Sequence, residues 1–156
     1  MRPWVSAYVG LGANLGNAAA CVCQAMDNIG RIHGVRLGQR SGLYGSAPID
    51  ASGPDYVNAV VALQTQLTAL DLLRQLQVLE QQAGRERPYR NAPRTLDLDL
   101  LLFGEAHIAS KYLHIPHPRL FERAFVLQPL ASIAPHLVSA DQLRAVAHQP
   151  IRRLDD

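Results

Sequence analysis

Apolar and polar positions along the chain alternate between two periods, and the order of those periods predicts the fold. The stretch "SAYVGLG" (6–12) is apolar and ends in glycines, which predicts a first strand followed by the loop "ANLGN". "AAACVCQAMDNIG" (18–30) is alanine-rich and closed by Gly30, so it predicts a helix. "VRLGQRSGLY" (35–44) alternates weakly and predicts a second strand, and the Gly, Ser and Pro of "GSAPIDASGP" (45–54) predict a loop. "DYVNAVVALQTQL" (55–67) is rich in β-branched residues and predicts a third strand. In "TALD" (68–71) Thr68 is placed to cap a helix, with Asp71 as its capping-box partner. That helix is expected to run to about Ala83, with leucines 70, 73, 76 and 79 on one face. A basic loop, "GRERPYRNAPR" (84–94), leads into a fourth strand, "TLDLDLLLF" (95–103). Beyond it, "HPRLFERAFVLQPLASIAP" predicts short helices broken at Pro129 and Pro135.

The order strand, helix, strand, strand, helix, strand predicts an α+β fold. It is a ferredoxin-like βαββαβ antiparallel sheet with helices on one face and an added C-terminal segment. No repeat, low-complexity run or linker interrupts it, so residues 1–156 are read as one domain.

Composition narrows the picture further. Apolar residues make up 48% of the chain, which excludes a disordered class. The net charge of +2 is too small to imply nucleic-acid binding by bulk electrostatics. The third strand also lacks the interleaved basic and aromatic residues of an RNA-binding sheet. No apolar run approaches 18 residues, and the N-terminus lacks a signal-peptide core, so no membrane association is expected. Cys21 and Cys23 sit two apart on a helix, on divergent sides, and make no disulfide framework. A cytoplasmic monomer is the expectation. Lys111 is the only lysine; every other basic residue is arginine, whose planar fork suits phosphate oxygens.

Asp97 and Asp99 raise the chemical question. Side chains alternate along a strand, so these carboxylates share one face, with Leu96, Leu98 and Leu100 on the other. Two acids so close repel, and a hard divalent cation relieves the repulsion. A half-exposed strand with solvated acids is the simpler explanation of a bare D-x-D. The loop just before the strand shifts the balance, because Arg85, Arg87, Arg90 and Arg94 supply phosphate ligands beside metal ligands. Together they predict a polyphosphate site. The glycine motif "GLGANLG" has the spacing G-x-G-x-x-x-G and lacks a following acidic strand, which argues against a dinucleotide fold. A metal-dependent phosphodiesterase using the same acids is a rival reading.

Several blocks, in order, resemble the 6-hydroxymethyl-7,8-dihydropterin pyrophosphokinase family: "YVGLGANLGN", "PDYVNAVVAL", "GRERP", "PRTLDLDLLLFG" and "IPHPRLFERAFVLQPLASIAP". The resemblance runs from about Tyr8 to Pro135. It implies transfer of the β,γ-diphosphate of ATP to the hydroxymethyl group of 6-hydroxymethyl-7,8-dihydropterin, releasing AMP. It further implies two Mg²⁺ ions held by Asp97 and Asp99, with Arg85 and Arg94 clamping the phosphates during transfer. Gln77, Glu80, Arg87, His117 and Arg123 would bind ATP. Tyr56 and Phe125 would sandwich the pterin, Asn58 would bond its edge, and Ser46, Ala47 and Ile49 would line its pocket. Stacking faces with edge hydrogen bonds are what a flat heterocycle requires. The chain departs from the family pattern at Asn91, where a loop tryptophan is common, and at Ala13, Ser46 and Pro118.

Overall fold

The computed structural model describes residues 2–47, 54–84 and 96–154. Strand β1 (Val5–Ala13) runs antiparallel to β4 (Tyr56–Thr65) on one side and to β5 (Asp97–Phe103) on the other. Beyond β4 lie β2 (Val35–Arg40) and β3 (Tyr44–Ser46), both antiparallel to it. The second strand expected from the sequence is thus two pieces, with a register shift between Leu37 and Arg40. Gly38 sits in that shift; a Cβ there would come within 3.2 Å of the Ala62 carbonyl oxygen. β3 also extends into the stretch expected to be loop.

Alternation along β1, β4 and β5 builds two cores. Ala7, Val9 and Leu11, with Ala59, Val61, Leu63, Leu98 and Leu100, face helices α1 (Ala18–Gly30) and α2 (Ala69–Gly84). Asn17 caps α1 by accepting from the Ala20 N–H, and Thr68 accepts from the Asp71 N–H at the start of α2. The buried face of α2 carries Ala69, Leu72 and Leu76, while Leu70 is exposed. Strict spacing of three drifts around a helix of 3.6 residues per turn, so Leu72 replaces Leu70 on the inner stripe.

The opposite face is covered by the C-terminal segment. Helix α3 (Ala124–Ile133) packs Val126, Leu127 and Leu130 against Val60 and Leu101. Pro129, expected to break this region, lies inside α3. Its ring is buried with that apolar face, and burial of several large side chains offsets the lost backbone bond. Pro135 does start a separate single 3-10 turn, Pro135–Leu137. The short strands β6 (Ile108–Ala109) and β7 (His114–Ile115) form a hairpin beside β5. Helix α4 (Ala140–Ala145) carries a full capping box between Ser139 and Gln142. The chain then returns as β8 (Ile151–Arg153), antiparallel to β3. Among the described residues, no helix is long and apolar enough to cross a membrane.

Candidate active site

The acids of β5 lie on the face away from α1 and α2. Gly12 pairs with Asp97, and Gly10 with Asp99; across β1 the same glycines pair with Asn58 and Val60. Leu98 and Leu100 belong to the core on the other side, so the alternation expected from the sequence holds. Both aspartates are half-buried. The alternation continues to Leu101, which packs with α3 on the acids' side; Leu101 has no partner in β1, and this bulge puts Leu102 and Phe103 out of phase with the residues before it.

Gly10 and Gly12 lie within a strand, so "GLGANLG" makes no phosphate-binding turn between a strand and a helix. Their missing side chains have another effect. A Cβ at Gly12 would stand 3.2 Å from Asn58 Nδ2 and 3.9 Å from Tyr56 Cδ1. The glycine therefore leaves open the strip of sheet between Asp97 and the residues of β4. The sequence displayed these glycines, but their role depends on which strands flank β1, which local pattern does not reveal.

Beyond the glycines, Asn58 and Ser46 are buried polar residues. Ser46 Oγ donates to Asn58 Oδ1 at 2.6 Å. Tyr56 is half-buried and pairs with Ser46 across β3 and β4. Ala47 follows β3 and is exposed. Ile49, Arg85, Arg87, Arg90, Asn91 and Arg94 lie outside the described residues.

On the other flank, His117 donates its backbone N–H to the Leu101 carbonyl, which ties the post-hairpin turn to the bulge. Its Nδ1 accepts from the Arg119 N–H at 3.1 Å. Burial pushes the imidazole below its ordinary pKa of 6.5; Asp99 opposes this, and Arg123 and Arg119 add to it. The ring is thus neutral at pH 7, with Nδ1 occupied as an acceptor and Nε2–H left as the donor. Arg123 lies over the Phe125 ring, 5.3 Å from its centroid. The charges of Asp99 and Arg123 both reach His117, so β5, the histidine turn and the start of α3 converge.

Of the two expected residues on α2, Gln77 is exposed. Glu80 accepts the backbone N–H of Leu98 through Oε2 at 2.8 Å. That bond holds the edge strand between its two acids, a role the sequence reading did not foresee. A pocket of about 220 Å³ opens beside Asp99, lined also by Leu73, Leu98, Tyr112, His114 and His117. Tyr112 and His114 were missed because they come from the β6–β7 hairpin, whose sequence has no periodic signature.

A metal would have to be held by few protein groups. Among the described residues, no cluster of three or more His, Cys, Asp or Glu is gathered for a metal. Two carboxylates on one open face do fit Mg²⁺, which completes its octahedron with water and phosphate oxygens.

The chain is similar to known proteins over most of its length. The family model of 7,8-dihydro-6-hydroxymethylpterin-pyrophosphokinase (HPPK) matches residues 8–135. The chain is 47% identical over 131 residues to a 2-amino-4-hydroxy-6-hydroxymethyldihydropteridine pyrophosphokinase of Pseudomonas aeruginosa, covering 83% of this chain and 81% of that one. It is 41% identical over 135 residues to the Haemophilus influenzae protein of the same name, covering 86% and 84%. Among solved structures, the Plasmodium falciparum HPPK-DHPS with pterin and p-hydroxybenzoate superposes with a TM-score of 0.67 at 13% identity, a likeness of fold alone. The match covers 86% of this chain and 40% of that one, so the chain spans about two-fifths of that longer protein. The chain belongs to the 7,8-dihydro-6-hydroxymethylpterin-pyrophosphokinase family.

Proposed function

We propose that this protein transfers the β,γ-diphosphate of ATP to the hydroxymethyl group of 6-hydroxymethyl-7,8-dihydropterin, yielding AMP and the pterin diphosphate for folate biosynthesis. The observation that carries this reading is the pair Asp97 and Asp99 on one sheet face, level with the side-chain-free Gly12 and Gly10. The frame we assign is ferredoxin-like: β5, β1 and β4 followed by the broken strand β2–β3, all antiparallel, with α1 and α2 on one face. On this reading the chain is one pyrophosphokinase domain, acting as a cytoplasmic monomer on two small-molecule substrates.

Each group has a task in the transfer. The pterin lies between Tyr56 and Phe125. Asn58 gives its amide donors to the ring edge, because Ser46 already occupies its oxygen. Ala47 and Ile49 are assigned to pterin binding. The nucleoside enters the pocket beside Asp99, and Gln77 binds it from α2. His117 donates from Nε2 and Arg123 lends its charge to the triphosphate. Glu80 acts one step back, by fixing the backbone between the two acids.

Asp97 and Asp99 would hold two Mg²⁺ ions, which supply charge neutralisation along the phosphates. Arg85 and Arg94 clamp the transferred group, and Arg87 binds ATP. Such a reaction needs positioning and charge balance more than covalent participation by the protein. The hydroxymethyl oxygen attacks the β-phosphorus and AMP leaves in line.

The test is an assay with ATP, Mg²⁺ and 6-hydroxymethyl-7,8-dihydropterin. Stoichiometric AMP and pterin diphosphate are expected. ADP, or free phosphate without AMP, would exclude diphosphoryl transfer.

A further inference from the structure

Arg123 and Phe125 stand at an unusual junction. Glu122 ends a 3-10 turn, Leu120–Glu122, and Ala124 begins α3. Arg123 links them in extended backbone, with φ −129° and ψ 118°. It makes no side-chain cap, so the first N–H of α3 lacks the usual local partner. A residue from far along the chain supplies one. Gln149 Oε1 accepts the Ala124 N–H at 2.8 Å, and Gln149 Nε2 donates to the Glu122 carbonyl at 2.7 Å. The carboxamide thus brackets Arg123, bonding the residue on either side as a neighbouring strand would.

Gln149 is itself held at both ends. Three residues before it, Val146 is buried in the α3 core, and the Gln149 N–H donates to the Val146 carbonyl. Just after it, β8 pairs with β3, where Ile151 is the partner of Ser46. One short segment therefore joins the strand bearing Ser46 to the junction bearing Arg123 and Phe125.

We propose that Gln149 is a positioning residue for the reaction: it fixes the extended link that aims Arg123 at the triphosphate and sets Phe125 over the pterin. This rests on the roles given above to Arg123 and Phe125. Without the clamp, the two flanking peptide groups can rotate and both side chains lose their fixed origin. Orientation set by groups remote from the chemistry is a recognised source of rate and affinity.

The test compares Gln149→Met, similar in length but unable to make either bond, with Gln149→Glu, which keeps the acceptor and loses the donor. KM for ATP and KM for the pterin are both expected to rise roughly tenfold in Gln149→Met. Gln149→Glu should show a smaller rise, and it carries the test if the methionine variant does not fold. A role confined to stability would lower Tm and leave both KM values at the wild-type level well below Tm; that result overturns the proposal. Adding Gln149→Met to Arg123→Ala should raise KM for ATP by less than about twofold, since the clamp then has no guanidinium to aim. A full tenfold rise on that background would also overturn it. If Arg123→Ala alone leaves KM for ATP unchanged, the assignment of Arg123 fails, independently of Gln149.

Discussion

Ser46 Oγ donates to Asn58 Oδ1 across 2.6 Å, inside the sheet and away from water. The bond sets which way the Asn58 amide points. With its oxygen engaged, the –NH₂ group faces the open strip above Gly12. Asn58→Asp would replace two donors with an acceptor-only carboxylate there. The expected outcome is a rise in KM for the pterin of roughly a hundredfold, with KM for ATP little changed. Ser46→Ala should give a milder rise, because the amide can then flip. Steady-state kinetics with each substrate varied will check both.

Gly12 should tolerate no side chain. A methyl group there must displace Asn58 Nδ2 or distort the strand. Gly12→Ala is therefore expected to cost about 1–3 kcal/mol of stability and to weaken pterin binding together. At Gly10 the nearest atoms to an added Cβ are those of Leu101, at 3.5 Å and beyond, an ordinary contact. Gly10→Ala should fold with near wild-type Tm. Thermal melts of the two variants side by side will separate close approach from general strand packing.

The acids should be needed for turnover and dispensable for folding. Asp97→Asn and Asp99→Asn are expected to reduce kcat by on the order of a hundredfold or more while leaving the circular dichroism spectrum unchanged. Glu80 should behave in the opposite sense. Glu80→Leu leaves the Leu98 N–H without its carboxylate partner, costing about 1–3 kcal/mol and lowering Tm first. Glu80→Gln keeps an acceptor and should recover most of that loss.

The His117 titration reports directly on whether β5 and the start of α3 face one space. In the metal-free protein its pKa should lie below 6.5. Asp99→Asn removes an influence that raises it, so the pKa should fall further. Arg123→Ala removes one that lowers it, so the pKa should rise. The linked stability follows the same sign. The unfolded chain binds its proton at the ordinary value and the folded chain at a lower one, so this contribution is complete above 6.5 and fades as pH falls toward the folded value. Proton NMR of the imidazole signals across pH 4–8 will read all three proteins.

Much of this architecture was legible in the chain because it rests on local periodicity. α1 begins and ends where its alanines and Gly30 place it, and β4 and β5 follow their β-branched and leucine runs. The side shared by Asp97 and Asp99 follows from alternation alone. Other features depend on contacts distant in sequence. Pro129 sits within α3 because the sheet face beneath it supplies the burial. The bond of Glu80 to Leu98 was hidden in the sequence because it requires α2 and β5 to be adjacent. Gln149 stood in a stretch without any motif, and its part emerges only when its two hydrogen-bond partners, 25 and 27 residues away, are seen.

The pairing of β8 with β3 also constrains the order of events during synthesis. Tyr44, Gly45 and Ser46 have emerged from the ribosome long before Arg153, Arg152 and Ile151, their antiparallel partners. Until then one border of β3 presents unbonded amides, a ready template for a stray strand from another nascent chain. This border is thus sealed only once Ile151–Arg153 have been made, and slow elongation before them would prolong the interval in which chains can associate wrongly.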